Sequence, residues 1–430
     1  MIPRLEPSRF TASSLQAHPR GELVMRVLAS AFQSVEPGAA VKEFLEKNPL
    51  PADKRIFAFG LGKAAAAMTQ SLADMYPPAE SLVITKHASS LNVEPATVIL
   101  GDHPIPGDSS LRAGEAARTF LSQLTQDDLL ICLISGGGSA LMTAPLIPLE
   151  DLQRLTSALL ASGARIDEIN TLRRHLDLLK GGGVVRHANG AQTISLILSD
   201  VVGDTLEAIA SGPTAPDPST REDALGILRK YDLPDKLPAS IIPALSETAK
   251  STDPIFDLAQ NHLVGSNALA LQVACSQLER VGIRAKIIAS NMQGEAREVG
   301  PQMATRLRAE LKNTPRPFCL LAGGETTVTI KGNGRGGRNQ ELALSAVGEL
   351  AGLNDVMLVS IATDGEDGPT DAAGAVVTGE TAQKAKLLGL DAAGYLSRND
   401  AHSFFEKLDD LIKTGPSGTN VNDLVLCFAF

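Results

Sequence analysis

Residues 57–68 read Phe-Ala-Phe-Gly-Leu-Gly-Lys-Ala-Ala-Ala-Ala-Met. An apolar run enters Gly60-x-Gly62-x-x-Ala65 and then an alanine-rich segment, which predicts a strand, a tight glycine turn and a helix start. Such a junction binds anions: the first helical N–H groups lack partners and the helix dipole is positive there. The outline is that of a dinucleotide-binding turn. That reading requires an acid about 20 residues on, after the next strand, to hold a ribose. The next apolar run, "SLVIT", is followed instead by Lys86 and His87. Lys63 also stands inside the turn, where the dipole disfavours a cation. Both facts favour a site for phosphate, or for a phosphoryl group in transfer, over one for nicotinamide.

Working outward, apolar runs alternate with amphipathic segments. Strands are expected at 55–59, 82–85, 97–100, 129–134 and 193–198, and helices at 62–75, 109–123, 150–161 and 167–180, the last stopped by Gly181–Gly183. Near-continuous apolar strands such as "LLICLI" belong to a parallel sheet covered on both faces. Residues 213–256 carry Pro, Ser and Asp and read as a linking region. Alternation then resumes, with strands expected at 261–265, 285–289, 318–322, 326–331 and 356–362 and a final one in "DLVLCFAF". At 430 residues the chain exceeds one ordinary core. The fold class expected is α/β with two α/β domains: a Rossmann-like three-layer sandwich with a mainly parallel sheet over 1–255, and a smaller domain with a mixed sheet over 256–430, with a cleft between them. Residues 1–19 read as a polar arm.

Composition narrows the function. The net charge of −10 argues against nucleic-acid and membrane-surface partners. Neither a secretory leader nor an apolar run long enough to cross a membrane is visible. Cys132, Cys275, Cys319 and Cys427 are widely spaced, as buried free thiols in a reducing cytoplasm would be. Homo-oligomerisation is left open.

Further glycine-rich junctions add to the first. "ISGGGSALM" places Ser135, Gly136, Gly137, Gly138 and Ser139 after the most apolar strand, a backbone nest for an anion. It lacks the spacing of a Walker A loop and of a G-x-S-x-G elbow. "GNGRGGRNQE" sets Arg335 and Arg338 among Gly336, Gly337 and Asn339 just before a helix, and an arginine fork suits carboxylate and phosphate. Glu325 follows the strand "FCLLAGG". Asp200 and Asp204 follow the strand at 193–198, and Asp364, Glu366, Asp367 and Asp371 follow that at 356–362. Carboxylates at strand ends hold Mg²⁺ in ones and twos, although Asp/Gly turn chemistry accounts for most of these. Arg173, Arg174, His175 and Lys180 lie on one predicted helix and read equally as solvated or functional. His103, in "GDHPIPGD", lies in a Pro-rich loop and reads as structural or substrate-facing, the structural reading being preferred.

The ordered series "FGLGKAA", "GDHPIPG", "ISGGGSAL", "LSDVVGD…IASGPTAPD", "GGETTVT", "GRGGRNQELAL", "ATDGEDGPTDAAGA" and "TGPSGTNVNDL" strongly resembles the glycerate 2-kinase family with a C-terminal MOFRL domain, from about residue 21 onward. Some members carry the label hydroxypyruvate reductase. The resemblance implies ATP-dependent phosphorylation of D-glycerate at its 2-hydroxyl, with Mg²⁺, giving 2-phospho-D-glycerate and ADP. It further implies a site between two domains, with Lys63 and Arg335 or Arg338 essential. On this reading Lys63 neutralises the moving phosphoryl group, Arg335 and Arg338 bind glycerate carboxylate or phosphoryl oxygens, and Gly60, Gly62 and Ser135–Ser139 cradle an anion. Asp200 is the first choice for metal ligand or base, with Glu325 and Asp364 as alternatives and Asp364 a second metal candidate. The alternative activity is an NAD(P)H-dependent hydroxypyruvate reductase.

Overall fold

The computed structural model describes residues 5–87 and 91–430. The chain forms two compact units, one over 37–264 and one combining the N-terminal residues up to Glu36 with 265–430.

In the first unit the strands are β1 (Arg55–Leu61), β2 (Glu80–Thr85), β3 (Ala96–Leu100), β4 (Asp128–Ile134), β5 (Gln192–Leu198) and β6 (Ala259–Gly265). Their order is β3-β2-β1-β4-β5-β6, and β1 to β5 run parallel. β4 is buried along its whole length, as a strand covered on both faces must be. Phe57, Phe59, Leu61, Leu82, Ile84, Leu130, Cys132 and Ile134 pack against Ala113, Ala117, Phe120 and Leu121 of the helix Asp108–Ser122. Val83 points the other way and packs with Ala65 and Ala66 of the helix Ala65–Met75. Small residues let that helix sit close to the sheet. A satellite core joins the helices Leu149–Ala161, Ile166–His175 and Arg221–Lys230 through Leu152, Leu155, Ile169, Leu172, Ala224 and Leu228.

In the second unit β7 (Arg284–Met292), β8 (Phe318–Gly324), β9 (Val356–Ala362), β10 (Gly374–Thr378), β11 (Leu411–Ile412) and β12 (Asp423–Ala429) form a mixed sheet in the order β11-β10-β9-β12-β8-β7. β12 runs antiparallel to both β8 and β9. Its first residue, Asp423, therefore pairs with Gly324 and Ala362 at the carboxyl ends of those strands.

The two α/β architectures match the expectation, while the grouping of residues differs from a division at 255/256. The helix Gly21–Ser34 packs on the helix Asn267–Arg280. Ahead of it, Ser14 donates from its backbone N and its Oγ to the Asp410 carboxylate, at 2.7 and 2.8 Å. The expected polar arm is thus anchored by a partner nearly 400 positions away, which local periodicity does not reveal. The expected strand at 326–331 forms no ladder: Glu295 takes hydrogen bonds from the Thr327 and Thr329 hydroxyls and the Thr329 N–H, and one bridge joins Glu295 to Thr327. The helix expected over 167–180 ends at His175. Just beyond, the Asp177 carboxylate accepts hydrogen bonds from Thr143 Oγ1, the Ala144 and Leu179 N–H groups and Lys180 Nζ, which draws the chain out of the helix. The cysteines are free thiols, three buried and Cys275 half-buried. Among the described residues no helix is long and apolar enough to cross a membrane.

Candidate functional site

In the 37–264 unit the chain runs from β1 outward through β2 to β3, then returns and builds β4 and β5 on the other side of β1. The carboxyl ends of β1 and β4 thus form a topological switch point, where the connections part and leave a crevice for a ligand. Leu61 and Ile134 are register partners at that edge. The next residues on each strand are Gly62–Lys63 and Ser135–Gly136.

These turns are stitched together. Ser135 N–H donates to Leu61 O at 2.9 Å, Lys63 N–H donates to Gly136 O at 3.0 Å, and Ser135 Oγ accepts the Ala64 N–H at 3.0 Å. Gly62 has φ of +123°, and a Cβ there would lie 2.3 Å from Ser135 Oγ. Its lack of a side chain lets the turns touch. Gly136 makes room for a carboxylate, because a Cβ there would lie 1.8 Å from Asp200 Oδ2. At Gly137 a Cβ would meet Lys63 Cε at 3.3 Å and His103 Cδ2 at 3.4 Å. Lys63, Asp200, His103 and the glycines from Gly136 therefore share one small region. Gly60 does not reach it: buried within β1, it leaves space for Thr69 of the following helix.

Ser139 continues the cradle. Its Oγ lies 2.6 Å from Ser211 Oγ and accepts from Arg173 Nη1 at 3.3 Å. Burial lowers the pKa of Arg173, against the pull of Asp177. His103 is also held below its ordinary value, first by burial and then by the charges of Lys63, Lys86 and Arg173. His103 therefore senses three surrounding cations. Arg173 and His103 were legible only as ambiguous residues, since nothing in their spacing shows that they converge on the Gly62 turn. Lys86 stands where a dinucleotide site would need its ribose acid.

The "GNGRGGRNQE" segment of the other unit departs from expectation. The helix Arg338–Leu350 has its first N–H groups filled from within. The buried Asp367 carboxylate accepts the Asn339 and Gln340 N–H groups at 3.0 and 2.8 Å. A Cβ at Gly337 would lie 2.4 Å from the Asp367 carboxyl carbon, so that glycine serves the same contact. Asn339 is buried and accepts from Ser360 Oγ. Arg338 grips Asp423 with two branches, Nε to Oδ2 at 2.6 Å and Nη2 to Oδ1 at 3.0 Å, and reaches Glu325 with Nη1 at 2.7 Å. Burial opposes the charge on Arg338, but Asp423 and then Glu325 outweigh it and hold the guanidinium above its ordinary pKa. Arg338 and Glu325 are thus joined to each other. Arg335 differs: its side chain is 51 % exposed, and among the described residues its one ion pair is to Asp371 at 3.3 Å. Gly336 is half-buried beside it. Asp364 accepts the Glu366 N–H in the loop after β9. Among the described residues no group of three or more His, Cys, Asp or Glu is placed to hold a metal ion unaided.

Comparison with known proteins bears on this arrangement. A family model described as a domain of unknown function, DUF4147, matches residues 23–246, and the MOFRL family model matches 318–423. The chain is 40% identical to a D-glycerate 2-kinase of Thermotoga maritima, over 94% of this chain and 97% of that protein. It is 36% identical to a putative hydroxypyruvate reductase of Agrobacterium vitis, over 94% of this chain and 93% of that one. The crystal structure of a glycerate kinase from Thermotoga maritima superposes with a TM-score of 0.89 at 39% identity, over 95% of this chain and 99% of that one. The order of motifs, the switch point with its lysine and the matched lengths agree: the chain belongs to the glycerate 2-kinase family.

Proposed function

We propose that the protein transfers the γ-phosphoryl group of ATP to the 2-hydroxyl of D-glycerate, giving 2-phospho-D-glycerate and ADP, with Mg²⁺. The observation that carries this is the cationic switch point, where the Lys63 side chain and His103 lie against Gly137 and the Asp200 carboxylate lies against the neighbouring Gly136. Phosphoryl transfer needs in-line placement and positive charge around the moving group more than covalent help. Lys63 supplies that charge, and the backbone from Ser135 to Ser139 holds oxygens at a distance a side chain would forbid. The 2-hydroxyl oxygen attacks phosphorus as the bond to the ADP oxygen breaks, and the hydroxyl proton goes to a carboxylate, for which Asp200 is the assignment. Glu325 fits this role poorly because Arg338 already holds it.

Mg²⁺ bound with nucleotide needs only one or two protein carboxylates, and when present it neutralises phosphate charge. Asp200, beside the glycine turn at the switch point, is a carboxylate of the kind such an ion uses and would be its ligand; Asp364 is the second candidate. Of the two arginines near the helix start, Arg335 has donors to spare and is assigned to substrate anions. Arg338 is assigned to holding Asp423 and Glu325. The reductase alternative gains from the Gly-x-Gly-x-x-Ala turn and loses from Lys86 at the end of β2.

The test is product identity. With D-glycerate, ATP and Mg²⁺, ADP should appear together with a product that enolase dehydrates directly, without a mutase. A product that requires the mutase would place the phosphoryl group on the 3-hydroxyl. NADH oxidation with hydroxypyruvate, and no ADP from glycerate, would replace the kinase reading with the reductase.

A further inference from the structure

We infer that Arg173, with Ser139 and Ser211, forms the seat for the carboxylate of the acceptor substrate. The inference rests on the kinase reading above and adds to it the group that selects an acid over a neutral alcohol.

The first observation is an accounting of partners. Arg174, the next residue, has a counter-ion: its Nε lies 3.0 Å from Asp217 Oδ1 as an ion pair, although that Nε makes no hydrogen bond, and its other two nitrogens donate to Glu207 O, Thr171 Oγ1 and Ser219 Oγ. Arg173 has no such set. No carboxylate lies within ion-pair distance of it among the described residues, and its buried Nε finds no hydrogen-bond partner. Among the described residues its one hydrogen bond is the long contact to Ser139 Oγ. The nearest acid in electrostatic terms is Asp177, whose oxygens are taken by Lys180, Thr143 and two backbone N–H groups. A guanidinium withdrawn from water without a counter-ion costs stability unless a ligand supplies one. A planar carboxylate matches its fork.

The second observation is position. Ser139 follows the Gly136–Gly138 turn directly, on which the Lys63 side chain lies. Ser139 also pairs with Ser211, and Ser211 Oγ lies 3.5 Å from Asn170 Oδ1, so hydroxyl groups able to turn toward an anion sit beside the guanidinium. In a 2-hydroxy acid the carboxylate and the reacting hydroxyl are on adjacent carbons. Such a substrate needs an anion seat next to, and separate from, the phosphoryl cradle, and Arg173 beside the Lys63 turn supplies that pair.

The experiment compares wild type with Arg173→Met and Arg173→Lys, using D-glycerate and its neutral amide, D-glyceramide, as acceptor or competing ligand, and records the KM for ATP. Loss of a charge-assisted contact in a desolvated site should lower kcat/KM for D-glycerate by roughly 10²–10³-fold in Arg173→Met. The preference for D-glycerate over the amide should collapse, and the KM for ATP should stay within about twofold. Arg173→Lys, which keeps the charge and loses the fork, should fall between. A purely structural role would depress both acceptors equally and leave the preference intact, which would overturn the inference. A rise in the KM for ATP with that for glycerate unchanged would also overturn it, by moving Arg173 to the nucleotide. If Arg173→Met does not fold, the same comparison on Arg173→Lys decides. Wild-type protein that turns over no glycerate would refute the kinase reading itself, a result separate from any effect of the variants.

Discussion

Substituting Gly62 by alanine tests how strictly the turns after β1 and β4 are coupled. The new Cβ would lie 2.3 Å from Ser135 Oγ and 2.4 Å from Ser135 O. Ordinary contact begins near 3.4 Å, so the turns must part by about 1 Å. The glycine also has φ of +123°, a region that costs a side-chain-bearing residue on the order of 1–3 kcal/mol. Parting the turns breaks the Lys63 N–H to Gly136 O bond and the Ala64 N–H to Ser135 Oγ bond, each worth about 1 kcal/mol net. The sum is a loss of roughly 3–5 kcal/mol in stability. The functional loss has a different origin. A displacement of about 1 Å between Lys63 and the glycine backbone should lower kcat/KM by on the order of 10²-fold. The assay is ADP release with D-glycerate, run well below the variant's melting temperature, which differential scanning calorimetry supplies. Gly163→Ala is the control: it shares the positive φ but has nothing within 4 Å, so it should lose some stability and keep its activity. A folded Gly62→Ala protein with wild-type kcat/KM would refute the coupling and remove this turn from the reaction.

Other outcomes follow from the same geometry. Arg338→Met strands the buried Asp423 carboxylate, a loss of about 3–5 kcal/mol that should lower the melting temperature by roughly 6–20 °C, whereas Arg335→Ala should leave the melting temperature unchanged and cut turnover or glycerate affinity. If Arg338→Met melts like wild type and Arg335→Ala turns over normally, the division of labour between the arginines is wrong. His103 is held below its ordinary pKa by burial and by Lys63, Lys86 and Arg173. An anion bound among those cations should let its pKa rise, with proton uptake, so calorimetric affinity for D-glycerate should increase from about pH 7.5 to about pH 6. His103→Gln should abolish that trend, and equal affinities at both pH values in wild type would exclude the coupling. Gly226→Ala, in the helix Arg221–Lys230 with open space around it, should stabilise the fold by about 0.5–1 kcal/mol with activity unaltered, as thermal melts and the same ADP assay would show.

The α/β class and the central parallel strands were legible because their signals are local. "FAFGLGK" shows its strand and turn within seven residues, and "LLICLI" shows a strand buried on both faces. What sequence could not supply was partnership over distance. Arg338 and Arg335 look alike in "GRGGRNQE", and only the fold brings Asp423 to one of them, 85 positions away. Asp367 reads as turn chemistry until it is seen capping the helix that an external anion was expected to occupy. The Ser14–Asp410 contact assigns the N-terminal segment to the unit holding 265–430, against the order of the chain. Arg173 was visible as a cation on a helix, but its lack of a counter-ion among the described residues is a property of everything around it.

The central claim is that the carboxyl ends of β1 and β4 cradle a phosphoryl group in transfer. A crystal structure of the protein with D-glycerate, Mg²⁺ and a non-hydrolysable ATP analogue tests it most directly. The account predicts a phosphate or carboxylate group within hydrogen-bond reach of Lys63 Nζ and of the Gly136–Ser139 backbone. Ligands bound in full with no anionic group near Lys63 or that backbone would contradict it.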